Sequence, residues 1–573
     1  MRPSPEGRRP AANCETRGHY DRAVTPTELS AAVSAAVQAC LEAGEFPGEA
    51  PAEVAVERPK NPEHGDYAAN IALRLAKAAG KPAREIAEAI AARLRDADGI
   101  AKVDVAGPGF LNITVASGSL GQLARSIVEA GESYGRSTQL AGRKINLEFV
   151  SANPTGPVHL GHTRWAALGD SLRRLLEAAG AKVTAEHYIN DFGSQLDKFA
   201  ASLRAVALGE PVPEDGYHGD YVAGVAEQVV SAVPGVLDLP EDESLAAFKT
   251  HGYELMLAAA KRSLETFRVE FDVWFSERGM HESGEVDAAI ARLREQGHVF
   301  DADGAVWLRT TDFGDDKDRV LVRSNGEKTY FAADSAYYLD KRGRGFDRCV
   351  YMLGADHHGY VGRLRAIVAC AGDDPDTTLE VLIGQLVKLV KNGEELRLSK
   401  RAGTIVTLDD FVELVGVDAG RYSLARWSAD TPLTLDIAEI TRKSNDNPVY
   451  YVQYAHARTC NARRNAADVG IGLDVFRPEL LNDPHEAALL AALGEFPRVV
   501  ATAAELRAPH RVARYLEELA GTYHRWYDTC RIAPKGDDPI EDVNRTRAWL
   551  NEATRVVLGN GLALLGVSAP ERM

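Results

Sequence analysis

A strand, a polar loop, a helix and a second strand follow one another within one segment, and this order constrains the fold more than any other feature. The short apolar run 144–150 predicts the first strand, the amphipathic stretch 163–179 predicts the helix, and 182–188 predicts the second strand. Two neighbouring strands joined through a helix pair in parallel, with a right-handed crossover. The unit therefore predicts a Rossmann-like, doubly wound parallel sheet.

The periodicity of the remaining chain indicates a multidomain protein that combines α/β and all-α parts. With 573 residues, the chain is too long for one ordinary domain. Further strands are predicted at 305–308, 349–353 and 384–390, and a helix at 67–79. The predicted parts are a disordered tail at 1–23, a small N-terminal α+β module at 24–125, the parallel-sheet catalytic domain at 126–440 with a helical insertion at about 207–300, and a C-terminal helical bundle at 441–573.

The loop between the first strand and the helix has the residues of a phosphate-binding site. Gly156 and Gly161 allow the backbone to approach a ligand closely. A helix that begins at Thr163 would present free N–H groups and the positive end of its dipole to phosphates. His159 and His162 can donate hydrogen bonds to phosphoryl oxygens as charge moves in a transition state. The alternative is that the two histidines are structural or bind a metal ion.

A second, cationic segment lies at 394–404. Arg397, Lys400 and Arg401 fall within five residues of one another, and a glycine follows them. Such a loop can clamp a leaving pyrophosphate, usually with the help of Mg²⁺. Taken alone, a run of this kind is more often a solvated surface. Its combination with the histidine loop favours a nucleotide site.

These two segments, in this order, resemble the two signature sequences of class I aminoacyl-tRNA synthetases. The sequence His-Leu-Gly-His at 159–162 is similar to the first signature, and Arg-Leu-Ser-Lys-Arg at 397–401 is similar to the second. Arg397 and Arg401 stand where the family has lysine and serine, whereas Lys400 matches the family's second lysine. The resemblance implies that His159, His162 and Lys400 are catalytic. It also implies that ATP contacts Gly156, His159, Gly161, His162, Asp356, His357, Arg397, Ser399 and Lys400.

The longer stretch 148–162 resembles the bacterial arginyl-tRNA synthetase form of the first signature. Four other segments resemble the same family, and they lie at 187–195, 328–334, 354–360 and 447–458. The resemblance extends over the chain except for the N-terminal tail. It implies ATP-dependent attachment of L-arginine to tRNA(Arg) through an arginyl-adenylate, with bound tRNA required for the activation step.

Five residues are candidates to bind the arginine substrate. A guanidinium group needs planar acceptors and usually a carboxylate. The resemblance assigns Tyr330 and Asp334, one helical turn apart, to the guanidinium end. It assigns Glu148, Ser151 and Asn153 to the α-amino and carboxylate region, although Glu148 could also reach the guanidinium. The structural alternatives are an ion pair across strands for Glu148 and a surface pair on a helix for Tyr330 and Asp334.

The C-terminal part has the features of an RNA-binding surface. Tyr451, Tyr454 and Arg458 share one face of a predicted helix, which suits stacking on splayed bases. The alternative is a bundle helix that buries its tyrosines. Gly420 stands where the Asp-Ala-Leu-Arg signature of the family's anticodon-binding domain has leucine. The resemblance implies that Met573 approaches the anticodon and that the N-terminal module recognises the tRNA elbow.

The composition limits the other partners. A net charge of −17 disfavours indiscriminate binding to nucleic acid, but it does not exclude a local basic face that docks one RNA. The resemblance implies that tRNA, and not DNA, is the partner. The six cysteines form no zinc-ligand spacing, and adjacent histidines at 357 and 358 cannot easily face one ion, so neither zinc nor another protein-held metal is expected. We see neither an apolar run of about 18 residues nor a signal-peptide core, which predicts a cytoplasmic protein without a membrane partner. We expect a monomer.

Three rival functions remain open. A class I synthetase for another amino acid is disfavoured by the Tyr330 and Asp334 pair. A small-molecule nucleotidyltransferase would need neither the N-terminal module nor the helical C-terminus. A non-catalytic tRNA-binding paralogue is disfavoured because His159, His162 and Lys400 are all retained.

Overall fold

The computed structural model describes residues 25–51, 54–59, 61–391, 393–396, 406–536 and 538–573. The predicted tail lies outside these residues. So do Arg397, Ser399, Lys400 and Arg401 of the second signature.

The N-terminal module is an antiparallel sheet covered by helices. Its elements are α1 (Pro26–Glu42), β1 (Val56–Glu57), β2 (Tyr67–Ala69), α2 (Ile71–Ala79), α3 (Ala83–Leu94), β3 (Ile100–Ala106), β4 (Phe110–Val115) and α4 (Ser117–Ala130), with strand order β1-β2-β4-β3. The predicted helix at 67–79 is wrong at its start, because Tyr67 and Ala69 point into the core as a strand and pair with β4.

The central domain is built on a five-stranded parallel sheet of order β12-β11-β5-β6-β7. This agrees with the predicted doubly wound sheet. The elements from 144 to 343 are β5 (Lys144–Glu148), α5 (Leu160–Ala178), β6 (Lys182–Ile189), α6 (Ser194–Leu208), α7 (Asp220–Ala232), α8 (Glu241–Thr266), β7 (Val273–Ser276), α9 (Glu277–Glu282), α10 (Glu285–Glu295), β8 (Val299–Ala302), β9 (Ala305–Leu308), β10 (Arg319–Val322) and α11 (Tyr330–Gly343).

The domain continues with the second half of the sheet and a smaller three-stranded sheet of order β14-β13-β15. Its elements are β11 (Arg348–Gly354), α12 (Val361–Cys370), α13 (Pro375–Thr378), β12 (Leu379–Gly384), β13 (Val387–Lys391), β14 (Glu394–Glu395), α14 (Leu408–Val415), α15 (Val417–Ala425), β15 (Leu433–Asp436) and α16 (Ile437–Ile440).

Three expectations for this domain are corrected. The predicted helical insertion contains β7, which forms one edge of the main sheet. The strand Ala305–Leu308 pairs with β8 and β10 in a separate antiparallel sheet, not in the parallel one. The predicted strand 384–390 is two strands in different sheets, because the chain turns between them where the Gln385 carbonyl accepts a hydrogen bond from Arg164.

The C-terminal part is a bundle of α17 (Pro448–Asp468), α18 (Pro484–Gly494), α19 (Phe496–Glu505), α20 (His510–Thr529) and α21 (Asp542–Leu564). The stretch Pro484–Glu505 is long and apolar enough to cross a membrane by composition alone. It is two helices, however, and half of it is buried against the rest of the protein, which is typical of interior helices. The N-terminal module packs on this bundle through α4.

Candidate functional site

The carboxyl end of β5 leads into a strained backbone turn. Val150 and Ser151 both have positive φ angles, of 70° and 45°, which are uncommon for residues other than glycine. Such strain persists where the surroundings fix it, often at ligand-binding sites. The turn lies at the sheet edge where parallel strands bind ligands. It is held in place by Ser151 Oγ, which donates to Glu148 at 3.1 Å and accepts from the Tyr188 N–H at 3.2 Å.

His159 and His162 form a stacked pair at the start of α5. Their rings lie 3.9 Å apart, and His159 Nδ1 accepts a hydrogen bond from the Gly161 N–H. His159 is therefore the N-cap, and the helix begins at Leu160 rather than at the predicted Thr163. The earlier start brings the free N–H groups of the helix next to the histidines themselves.

Burial keeps these histidines neutral. It lowers the pKa of His159, and it lowers the pKa of His162 to about 3, with the neighbouring His159 and His187 adding to the effect. Among the described residues, His162 Nδ1 has no hydrogen-bond partner. A buried polar atom without a partner is costly, so His162 is held in this position by the packing around it and not by a hydrogen bond at Nδ1.

The chain that follows the second signature pairs with the loop of the first signature. The Leu160 N–H donates to the Val406 carbonyl at 2.9 Å, and the Leu408 N–H donates to the Val158 carbonyl at 2.7 Å. His159 and Thr407 form the β-bridge between these bonds. Val406, the first described residue after the second signature, therefore lies beside the histidine pair.

A cleft of about 700 Å³ opens beside Tyr330, at the start of α11. Tyr330 is 66 % exposed, and its hydroxyl lies close to Gly193. The cleft is also lined by Phe192, Ser194, Glu277, His281 and Lys328.

Glu277 lines this cleft and Asp334 lies one helical turn after Tyr330, and in the described part of the chain neither acid pairs with a lysine or an arginine. Burial raises the pKa of Glu277 to about 7, with Asp334 and Asp191 adding to the effect. Burial also raises the pKa of Asp334 to about 6, with Glu148 adding to the effect. In the described part of the chain, Glu277 has His281 at 4.0 Å as its ion-pair partner, and burial lowers the pKa of that histidine. Asp334 accepts a hydrogen bond from Tyr360. Sequence reasoning found Asp334 but missed Glu277, which lies outside the recognised motifs.

Glu148 differs from these two acids because it has an internal cation. Lys341 Nζ lies 2.6 Å from Glu148 Oε2, so the ion-pair alternative is observed, but with a helix rather than across strands. Asn153 is exposed in the loop that follows. Asp356 and His357 lie on the exposed turn after β11, at the same edge of the sheet.

The predicted RNA-binding residues do share one surface. Tyr451 and Tyr454 both contact the ring of His524 on α20, and Arg458 stacks over Tyr454 and Tyr527. Met573 ends a tail that runs along α17, where His456 bonds the Pro570 carbonyl and Arg464 donates to the Glu571 carbonyl. Met573 is 53 % exposed.

A basic groove continues from this surface along α20 toward the N-terminal module. Its volume is about 840 Å³. The Tyr451 hydroxyl and Arg525 flank Gly521, which connects the aromatic cluster to the groove. Three acids also line the groove, and its arginines are Arg58, Arg498, Arg511, Arg514 and Arg525. Among the described residues, Arg511 and Arg514 have no ion-pair partner, so a net positive strip faces solvent.

The Asp-Ala-Gly-Arg segment joins domains instead of facing solvent. Arg421 is fully buried, and it binds Asp170 of α5 together with the carbonyls of Phe267, Arg268 and Leu565. Any side chain at Gly420 would place its Cβ 2.8 Å from the Phe411 ring. Glycine at this departure from the family signature is therefore explained by close packing.

The described residues contain no group of three His, Cys, Asp or Glu side chains arranged to hold a metal ion. The five described cysteines are buried and unpaired. The expectation that no zinc is bound stays a prediction.

Comparison with known families covers most of the chain. Residues 27–115 match the arginyl tRNA synthetase N terminal domain, residues 125–210 and 240–421 match the catalytic domain of tRNA synthetases class I (R), and residues 452–573 match the DALR anticodon binding domain.

Curated relatives match over nearly the full length. The arginine–tRNA ligase of Kineococcus radiotolerans is 59 % identical, and that of Paenarthrobacter aurescens is 57 % identical. Each match covers 96 % of this chain and 100 % of the relative. The solved arginyl-tRNA synthetase of Thermus thermophilus shares the fold, with a TM-score of 0.73 at 24 % identity over 96 % of this chain and all of that one.

Proposed function

We propose how the residues of this chain divide its reaction, given that the chain belongs to the arginyl-tRNA synthetase family. The enzyme is an ATP-dependent arginine–tRNA ligase. A carboxylate oxygen of arginine attacks the α-phosphorus of ATP, the bond to the β-phosphate oxygen breaks, and pyrophosphate leaves. The terminal adenosine hydroxyl of tRNA(Arg) then attacks the carbonyl carbon, loses its proton, and releases AMP. Orientation and charge stabilisation account for such chemistry without a covalent enzyme intermediate.

The guanidinium group binds between Tyr330, Asp334 and Glu277. The observation that supports this assignment is the pair of enclosed carboxyl groups without a strong cation nearby. Buried charges need a partner, and a planar guanidinium supplies both charge and hydrogen bonds. An uncharged analogue would leave the carboxylates unpaired, which gives strong selection.

The α-amino and carboxylate end of arginine lies toward the β5 turn. Glu148 is the last residue of that strand, and Ser151 and Asn153 follow it in the loop that leads to the histidine pair. This orientation brings the carboxylate of arginine toward ATP.

ATP binds along the sheet edge and enters with Mg²⁺ as its substrate complex. His159 and His162 contact the phosphates, Lys400 stabilises the leaving pyrophosphate, and Arg397 and Ser399 support that loop. Gly156 and Gly161 let the backbone approach the nucleotide, and Asp356 and His357 contact it from the turn after β11. The neutral histidines can each donate one hydrogen bond without repelling Mg²⁺.

tRNA binds across the helical bundle. Tyr451, Tyr454, Arg458 and the terminal Met573 contact the anticodon loop, while the N-terminal module contacts the elbow. The divisions at residues 24–125, 126–440 and 441–573, the monomeric state and the cytoplasmic location stay predictions.

Pyrophosphate exchange with each of the twenty amino acids, with and without total tRNA, tests this assignment. We expect exchange with arginine alone and only when tRNA is present. Exchange with another amino acid would contradict the role of Tyr330, Asp334 and Glu277. Absence of exchange under all conditions would favour a non-catalytic tRNA-binding paralogue over an active enzyme.

A further inference from the structure

Lys341 is a fully buried lysine in the interior of the catalytic domain. It lies on α11, two turns after Asp334, and its side chain has no exposed surface. Its ammonium group lies 2.6 Å from Glu148 Oε2 and 3.9 Å from Glu186 Oε1. A lysine is almost never buried without a specific partner, because the loss of hydration is costly. Its partner here is a residue of the proposed substrate site.

Two aromatic faces fix the position of this ammonium group. Nζ lies 4.1 Å from the ring centroid of Tyr337 and 3.9 Å from that of Tyr351. Both contacts are close enough for cation–π attraction. The group therefore has a carboxylate in front of it and aromatic rings around it, which leaves little freedom to move.

The second nearby acid has its own partners. Glu186 receives two hydrogen bonds from the Arg344 guanidinium and one from the Tyr337 hydroxyl. Asn146 donates to it as well, at 3.0 Å. Glu186 therefore has other donors, and Lys341 pairs mainly with Glu148, to which it is closer by more than 1 Å.

The two oxygens of Glu148 are thereby held in different ways. Lys341 binds Oε2, and Ser151 Oγ donates to Oε1 at 3.1 Å. The carboxylate plane is fixed from both sides, and its free lone pairs are available to a ligand at the β5 turn. Over the described ranges, neither Asp334 nor Glu277 pairs with a lysine or an arginine, so Glu148 differs from them in having an internal ammonium group beside it.

We propose that Lys341 is a positioning residue for arginine activation, which orients Glu148 toward the α-ammonium group of the substrate and prevents it from competing for the guanidinium. This inference rests on the proposed role of Glu148. Without the lysine, the uncompensated carboxylate is free to turn toward the cationic side chain of arginine. The amino acid then binds with its carboxylate misplaced relative to ATP.

Lys341→Met tests this role, because methionine fills a similar volume without charge. We expect the KM for arginine in aminoacylation to rise about 10- to 100-fold, with the KM for ATP unchanged. The inhibition constant of the arginine analogue that has a hydroxyl in place of the α-amino group should change less than about twofold. Arg342→Met is the matched control, since Arg342 is the next residue and pairs with Asp373, outside the site.

The outcomes separate a positioning role from a structural one. If Lys341 only supports the fold, Lys341→Met will lower the concentration of active sites and leave both KM values unchanged, and the proposal fails. It also fails if the hydroxyl analogue weakens as much as arginine does. Lys341→Met combined with Glu148→Gln should show no further rise in the KM for arginine beyond Glu148→Gln alone, whereas additive effects would overturn the coupling. Absence of arginine activity in the unaltered enzyme would instead contradict the proposed function.

Discussion

At the scale of single residues, the ionisation of two enclosed acids links substrate binding to pH. The pKa of Asp334 is raised to about 6 and that of Glu277 to about 7, so both are neutral at pH 5 and negative at pH 8. Only the ionised forms attract a guanidinium. We expect the dissociation constant for arginine, measured by calorimetry, to fall about tenfold or more between pH 5.5 and 8. A flat profile would contradict the binding of the guanidinium at these acids.

Replacing Glu277 by glutamine should separate binding from stability. The loss of one carboxylate is expected to lower kcat/KM for arginine about 100-fold. Because burial raises the pKa of Glu277 above its unfolded value, the ionised group costs folding free energy increasingly as pH rises from about 4.5 to 7. Glu277→Gln should therefore raise the melting temperature of the free protein at pH 8 but not at pH 4. A lower melting temperature at pH 8 would show that Glu277 is a structural residue instead.

His162 offers a test of the phosphate end of the site. Its place in the first turn of α5 and its stacking on His159 suit a donor to a phosphoryl oxygen. His162→Ala is expected to lower kcat for activation about 10²- to 10³-fold, with little change in the dissociation constant for arginine. Single-turnover measurement of adenylate formation checks this. An equal loss in arginine affinity would place His162 in the amino-acid pocket.

The sequence could predict those site residues that lie in short recognisable motifs. Glu148, Ser151, His159 and His162 fall within one short stretch of sequence, and the structure pairs Ser151 with Glu148 and His159 with His162, while their roles stay predictions. Glu277 could not be predicted, because it reaches the cleft from α9 through the pairing of β7 with β6, and that pairing depends on tertiary packing.

At the scale of elements, the sequence indicated long helices and buried parallel strands well and short strands poorly. The helix α5 was expected, but its start was misplaced by three residues because a histidine N-cap has no common sequence signal. The strand Ala305–Leu308 has the same local composition in either kind of sheet. Tertiary packing determines which strands it pairs with, and local β-propensity does not predict that pairing.

The basic strip on α20 leads to a prediction about RNA affinity. Arg511, Arg514 and Arg525 follow one face of the helix over about 21 Å. We expect them to contact tRNA phosphates between the anticodon and the elbow. Replacing Arg511 and Arg514 by glutamine should weaken tRNA binding and lower the slope of log K against log salt by about 2, with pyrophosphate exchange at saturating tRNA unchanged.

A pair of exposed arginines outside the groove provides the control for that test. Arg365→Gln with Arg294→Gln removes the same charge from the catalytic domain, where both arginines pair with nearby acids. An unchanged salt slope in the Arg511 and Arg514 variant, or an equal change in both variants, would show that the groove does not contact RNA.

At the scale of the whole molecule, the catalytic domain and the bundle are joined through a buried ionic clamp. Arg421 connects Asp170 of α5 with carbonyl groups at Phe267, Arg268 and Leu565, and Asp418 binds Arg268 and Ser568 nearby. These bonds link helix α5, the chain directly after α8 and the C-terminal segment after α21. Because Arg421 bonds to α5 and to the chain after α21, the clamp fixes the position of the bundle relative to the catalytic domain.

Arg421→Met is expected to lower the free energy of unfolding by about 3–5 kcal/mol, because it leaves Arg174 as the one remaining cation on buried Asp170 among the described residues and removes the donor to the Phe267 and Leu565 carbonyls. The catalytic domain and the bundle should then melt in two transitions instead of one, which differential scanning calorimetry would detect. Aminoacylation should fall more than tRNA binding, since each domain keeps its own contacts but loses its alignment. Asp170→Asn is the milder comparison, as the amide oxygen still accepts from Arg421. A single transition at an unchanged temperature in Arg421→Met would mean that apolar packing alone holds the domains together.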